Sequence, residues 1–374
     1  MKQLLLVGAG HAHAQVLQGW ALAPLPGVAL TVVSPQALAP YSGMVPGWLA
    51  GLYRYDEIVI DFQALARAAG ARWVAGELHA LDAAAQRAQL ADGEVLPYTL
   101  LSLNVGSTLR PPVLADAHVL SLRPLSALRP GWEALLHGWQ AAASTAPLDV
   151  AAVGGGAAGV ESVLAVVAHL RRLRPDRRVS GALFSRGAEL LPGFAAPARR
   201  AAERALAAAG IALKLGEAGD ATTLAGAGVV LWATGAQAHD WQREASRRGG
   251  LAASDEGFIH VDAQLRSSSH PSVFAVGDGA NWAPGPALPK AGVYAVRQGP
   301  VLLHNLRAAL SGGALQTYEP QRRFLALLAT ADGRAIAARG PFGAHGRWAW
   351  HWKDHIDSGF MGRFRPATDP APAR

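Results

Sequence analysis

Two glycine clusters carry the chemistry that can be read from this chain. Gly8, Gly10 and His13 in GAGHAH stand at the spacing of a phosphate-binding loop, and Gly154, Gly156 and Gly159 in GGGAAG repeat that spacing 146 residues later. In such a loop the first glycine allows a tight turn, the second admits a pyrophosphate against the backbone, and the third lets a helix pack closely on a strand. The helix that follows aims its first N–H groups and its positive dipole end at the phosphates. The second cluster is complete. In the first, histidine takes the packing position, so His13 is expected to push helix and strand slightly apart or to turn outward. One fingerprint is a weak signal, but two, each between an apolar run and a helix-like stretch, predict two bound dinucleotides.

The neighbouring residues narrow the chemistry. A ribose-binding acid normally ends the next strand, about 20 residues on, and neither strand supplies one. The run at 29–33 leads into Ser34-Pro35, so Ser34, backbone or water would hold the first ribose. The run at 181–184 leads into Ser185-Arg186, and an arginine there suits a 2′-phosphate better than a bare ribose. The second site therefore tilts toward NADPH, with a solvated loop cation as the other reading of Arg186. His11 either faces the phosphates or is a tolerated polar residue of the loop. His11 and His13 lack further ligands at a suitable spacing, so no metal site is expected. The chain has no cysteine, which excludes catalytic thiols, redox dithiols, disulfides and thiolate metal sites. Any redox chemistry must be borrowed from a bound cofactor.

Each loop needs a strand before it and a helix after it. Leu4-Leu5-Leu6-Val7 and Val150-Ala151-Ala152-Val153 are apolar runs of the kind used by buried parallel strands. Beyond the second loop Val160, Val163, Leu164, Val167 and Leu170 recur at helical spacing, and Arg171-Arg172 suit the negative end of the dipole. At 374 residues the chain exceeds one ordinary core and should form two or three domains. With 51% hydrophobic and 16% charged residues it reads as folded, not disordered. A net charge of +7 attracts phosphates, anionic headgroups or acidic partners, but no nucleic-acid motif accompanies it and no nucleic-acid partner is expected. The opening MKQLLLVGAGHAHA mimics a secretion signal, yet Gly8 and Gly10 interrupt its apolar stretch and an amphipathic helix follows. No apolar run reaches the length of about 18 residues that a spanning helix needs. Near the C-terminus Trp348, Trp352, Ile356, Phe360 and Phe364 recur every fourth residue, one slanting apolar stripe, with Lys353, Asp354, Asp357 and Arg363 elsewhere on the helix. Such a stripe fits an interfacial membrane helix, or a helix packed on its own domain or on a second subunit.

Three further stretches carry a family resemblance: LSLNVGS at 101–107, VVLWATGAQ at 229–237 and SVFAVGDGANW at 272–282. With the two loops, and over nearly the whole chain, they resemble the FAD-dependent pyridine nucleotide-disulfide oxidoreductase superfamily. PYSGMVPGWLAGLY at 40–53, PKAGVYAVRQGP at 289–300 and PQRRFLALLATADGRAIA at 320–337 are similar to its NADH dehydrogenase-like subgroup associated with selenide, water dikinase. In that subgroup histidines in the first loop are expected. Type II NADH dehydrogenases and sulfide:quinone oxidoreductases are relatives.

The resemblance implies an α/β fold: two Rossmann-like FAD- and NAD(P)-binding domains, glutathione reductase-like, with a C-terminal cap. FAD binding is expected over 1–120 and 255–318, NAD(P)H binding over 121–254, and a cap with a membrane or dimer surface over 319–374. FAD would lie at the first loop and NAD(P)H at the second. Gly106 and Gly235 would mark the strand ends that return to the flavin, and Asp278 of Gly277-Asp278 would accept a hydrogen bond from the ribityl chain. Pro46, in the loop 41–47, would lie against the flavin ring, and Glu161 beside the nicotinamide amide. Lys290 is the implied catalytic residue: its ammonium and a helix dipole would stabilise negative charge at the N1/O2 edge of the reduced flavin. A surface lysine at a helix opening is the plainer reading.

The implied activity passes hydride from NAD(P)H to FAD and on to an acceptor, quinone first among small molecules. Two departures bear on it. Sulfide oxidation through cysteine sulfurs is excluded, and Val293 and Arg297 replace glutamines expected near a quinone, leaving Gln298-Gly299. The alternative is a non-turnover redox partner or sensor in selenium metabolism, contacting selenide, water dikinase. The expected location is the cytoplasm, with peripheral contact at the inner face of the cell membrane.

Overall fold

The computed structural model describes residues 1–365. Each apolar run becomes the central strand of its own parallel sheet. Lys2–Val7 lies between Leu100–Leu103 and Val28–Ser34, with Val273–Ala275 and Arg72–Ala75 at the edges. Leu148–Val153 lies between Val229–Trp232 and Val179–Ser185, with His118–Ser121 and Ile211–Leu215 at the edges. Leu4 to Val7 are at most 3% exposed, which is why the run shows no polar alternation: both of its faces are covered.

The two sheets share one topology. The strand feeding each glycine loop has the next strand in sequence on one side and a later strand on the other. At such a reversal of strand order a crevice opens beyond the C-terminal strand ends, where open α/β sheets bind ligands. Helix His11–Leu22 follows the first loop and packs on Gly292–Ser311. Helix Ala157–Leu173 follows the second and buries Val160, Val163, Leu164, Val167 and Leu170, the stripe read from sequence. The chain passes from the first sheet to the second before His118–Ser121, and helix Leu125–Ala141 follows that strand. Strands of the first sheet come from both ends of the chain's first 275 residues, so the second sheet is inserted between them.

The cap is an antiparallel sheet, Ala326–Ala329, Ala335–Arg339 and Phe342–Gly346, followed by helix Arg347–Gly362. Here the expected stripe divides. Phe360 turns inward to stack near Tyr41, with ring centroids 4.8 Å apart, while Trp348, Trp352 and Ile356 are 52%, 43% and 41% exposed. The buried face carries Ala349, Lys353, Asp357, Phe360 and Met361 instead. Lys353 Nζ donates to Asp357 Oδ2 at 2.8 Å and to the Gly43 carbonyl at 2.6 Å, so the two buried charges satisfy each other and a backbone acceptor. Among the described residues no helix is long and apolar enough to cross a membrane.

Candidate functional site

Both loops turn through conformations that favour glycine: φ is +100° at Gly8 and +128° at Gly154. A side chain on Gly159 would place Cβ 1.9 Å from the Gly154 carbonyl oxygen, so the third position of this loop admits glycine alone. The first loop solves the same contact differently. His13 is fully buried; its Nδ1–H donates to the Gly8 carbonyl at 2.7 Å and its Nε2 accepts from Ser102 Oγ at 2.8 Å. The expectation that this ring turns outward is therefore corrected: it points into the protein, because both nitrogens find partners there. Burial pushes its pKa down to about 4, against the pull of the Gly8 carbonyl, so the ring is neutral near pH 7.

Glycine residues cap both helices, and neither receives a hydrogen bond from a cap side chain of its own. Asn104 does that work for the first. Its Oδ1 accepts from the N–H groups of Ala12 and His13 at 3.1 and 3.2 Å, and its Nδ2 donates to the Val276 carbonyl at 3.3 Å. A Cβ on Gly10 would strike Asn104 Oδ1 at 2.2 Å, so loop and asparagine fit only together. Sequence reasoning passed over Asn104, although a polar residue closing the apolar run of LSLNVGS is a visible signal. The helix at the second loop keeps its first turn free of any side-chain cap, with Ala157 and Ala158 facing open space, the arrangement that binds phosphate.

Both loops open on one cleft of about 1360 Å³. It exceeds the range of about 300–1,000 Å³ usual for one small ligand, as two dinucleotides would require. Gly8, Gly10, His11, Ser34, Pro46, Gly106, Gly277, Asp278 and Lys290 line it from the first side, and Gly154, Gly156, Glu161, Arg186 and Gly235 from the second. Gly159 lies behind the wall, in the packing contact. His11 accepts from the Ser42 N–H at 3.3 Å and stands edge-on to Tyr41; burial lowers its pKa to about 4. Pro46 sits in the short helix Val45–Leu49. Ser34 is buried and its Oγ donates to the Gln36 carbonyl at 3.1 Å. Glu77, just beyond the edge strand Arg72–Ala75, joins the same wall, bringing the carboxylate that a search of the adjacent strand alone does not find.

Around Gly277-Asp278 the polar groups are already engaged. Gln298 Oε1, buried, accepts from the Gly277 N–H at 2.7 Å, so this glutamine holds the turn. Asp278 forms an ion pair with Arg123, a residue the sequence reading did not single out. Lys290 Nζ donates to the Ala280 carbonyl at 2.5 Å and lies 3.8 Å from the centre of the Phe258 ring; helix Gly292–Ser311 begins two residues later. Burial lowers its pKa to about 8 against the pull of Asp278. Glu161 Oε1 accepts from the Ala329 N–H at 2.8 Å, tying the cap to the second loop's helix. Burial raises its pKa to about 7, with Lys353 pulling the other way.

The pattern of these loops and turns is one that a family model recognises: that of the pyridine nucleotide-disulphide oxidoreductases matches residues 2–299. The chain belongs to this family. It is a flavin-dependent oxidoreductase, and its cofactors are FAD and NAD(P)H. The residues fit those cofactors: nothing lies within 4 Å of where a Cβ on Gly156 would stand, so a pyrophosphate has open access to the backbone at the second loop's helix start. Among solved structures, sulfide:quinone oxidoreductase from Aquifex aeolicus superposes with a TM-score of 0.78 at 15% identity, covering 98% of this chain and 92% of that one. NDH2 from Plasmodium falciparum, in complex with NADH, gives 0.74 at 12% identity, covering 97% of both chains. An engineered water-forming NADPH oxidase bound to NADPH gives 0.70 at 19% identity, over 90% of this chain and 74% of that one. At these identities the likeness bears on the fold of the oxidoreductase. No curated protein matches the chain.

Proposed function

We propose that this oxidoreductase holds FAD along the first loop and NADPH along the second, and passes electrons from NADPH to a quinone. One observation carries the reading: two glycine-capped helices end on a single cleft, so two dinucleotides bound there can meet between Gly106 and Gly235. Flavin, when bound, supplies the hydride-accepting and electron-passing chemistry.

The chain's residues bind and orient. The helix starts beyond Gly10 and Gly156 hold the two pyrophosphates, with Asn104 keeping the first turn in place. Asp278 would anchor the ribityl chain, Pro46 and His11 would border the ring, and Lys290 would offset the charge of a reduced flavin. Arg186, exposed on the cleft and without an ion pair among the described residues, takes the 2′-phosphate. The engineered NADPH oxidase supports that choice: two of its five substitutions introduce arginine, and its parent from Lactobacillus brevis is bound to NADH. The quinone assignment draws on the name of the Aquifex aeolicus neighbour.

An apolar acceptor agrees with the outer face of Arg347–Gly362. Trp348, His351, Trp352, His355 and Ile356 are exposed there, with Arg347 and Arg363 toward the two ends, the composition of a helix that rests on an anionic lipid surface. We read it as a peripheral contact with the inner face of the cell membrane. Replacing Trp348 and Trp352 with serine should abolish cosedimentation with anionic vesicles; unchanged sedimentation rejects the contact.

The test of function is an anaerobic titration of the flavin absorbance near about 450 nm. NADPH should bleach it faster than NADH, Arg186→Ser should remove the preference, and a short-chain quinone should restore the colour. Bleaching by neither nucleotide defeats the reading. The engagement of Gln298 by Gly277, together with Arg297, favours one rival. In it the chain is a redox partner of selenide, water dikinase, as the subgroup resemblance implies, and slow bleaching with tight binding of that enzyme would support it.

A further inference from the structure

The segment just beyond the crossing from the first sheet to the second brings one side chain back to the flavin side of the cleft. Arg123 stands two residues beyond strand His118–Ser121, and its guanidinium forms an ion pair with Asp278 and a hydrogen bond to Ser107 Oγ. Its other terminal nitrogen donates to the Lys290 carbonyl at 3.0 Å. Ser107 Oγ in turn lies 3.4 Å from Asp278 Oδ2. Three separate stretches, at 106–107, 277–279 and 289–291, are thus gathered around one planar cation. The site is half-buried: the Arg123 and Asp278 side chains are 27% and 18% exposed.

We propose that Arg123 is a positioning residue for the flavin, fixing the Asp278 carboxylate and setting the net charge of the flavin site. This rests on the reading of Asp278 as the flavin-site aspartate. The argument is electrostatic. A lone, partly buried carboxylate at the site of a flavin that gains electrons opposes its reduction, and the opposition grows as water is excluded. Arg123 neutralises that carboxylate, so the Asp278 charge no longer offsets that of Lys290 on the same wall. A guanidinium suits the task better than an ammonium, because its fork reaches Asp278, Ser107 and the Lys290 carbonyl at once.

The experiment uses the FAD-loaded protein and its apoprotein. The midpoint potential of the bound flavin is read by equilibration with redox dyes, and FAD affinity by reconstitution. Arg123→Met should bind reduced flavin at least tenfold less tightly relative to oxidised flavin, a potential drop of about 30 mV. Adding Asp278→Asn to Arg123→Met should bring the potential back toward that of the unsubstituted protein, a recovery that a purely structural role does not give. Arg123→Lys keeps the charge and serves if the methionine variant does not fold: the potential should hold while FAD affinity falls. An unchanged potential in Arg123→Met, or a fallen one in Arg123→Lys, overturns the proposal. Failure of the unsubstituted protein to take up FAD overturns instead the reading of the site on which it rests.

Discussion

Histidine at position 13 shows how one residue can break a motif and keep its function. Glycine serves the second loop because helix and strand touch; the first loop fills the gap with an imidazole whose two nitrogens bind Gly8 and Ser102. Restoring the motif should therefore harm the protein. His13→Gly leaves a cavity and two unpaired polar groups, a loss of about 2–4 kcal/mol in denaturant unfolding; equal or higher stability would contradict this account. His13 also shapes the acid limb of stability. Its folded pKa, about 4, lies below the usual 6.5, so its contribution is present above about pH 6.5 and is lost as pH falls toward 4. Glu161 acts in the opposite sense. Its folded pKa, about 7, lies above 4.5, so stability is highest below pH 4.5 and falls as pH rises through 7. Glu161→Gln keeps an oxygen for the Ala329 N–H and should raise stability at pH 8 by up to about 3 kcal/mol, read as a higher melting temperature, while changing little at pH 4.5. The glycine positions were legible in sequence because their spacing is local. Asn104 and Glu77 were harder to see, since the wall they complete is built from other strands.

At the scale of elements, the central strands and the helix of the second loop follow from pattern alone, because a covered parallel strand has to be apolar throughout. The C-terminal helix does not. Its period-four stripe was legible, but the face it presents was not: Lys353 and Asp357 turn inward, and Trp348, Trp352 and Ile356 outward. Hydrophobicity assigns the apolar face to the interior; here the interior offers the Gly43 carbonyl and lies near Glu161, so an ion pair at i,i+4 is the better tenant. Breaking the pair should be costly. Lys353→Met strands the buried Asp357 and should destabilise by about 3–5 kcal/mol, whereas Lys353→Met with Asp357→Leu should recover much of that loss. Equal destabilisation by the single and the double variant in urea unfolding would show that the ion pair is not what holds the helix down.

For the whole molecule, the cleft is a property of two sheets set against each other, and ligands that bridge their loops should stabilise both. FAD at a hundred times its dissociation constant should add about 2.7 kcal/mol, read as a higher melting temperature of the holoprotein; no rise would mean that the first loop does not hold the flavin. By itself, the sequence determined the two loops, their flanking strands and helices, the absence of thiol chemistry and the family, because each depends on residue type and spacing over a few turns of chain. The tertiary structure alone decided which groups those loops meet. Asn104 reaches Ala12 across 92 positions, His13 reaches Ser102 across 89, Arg123 reaches Asp278 across 155 and Lys353 reaches Gly43 across 310. Such partners are chosen by the need to satisfy polar groups once burial has removed water, and no local pattern records that choice.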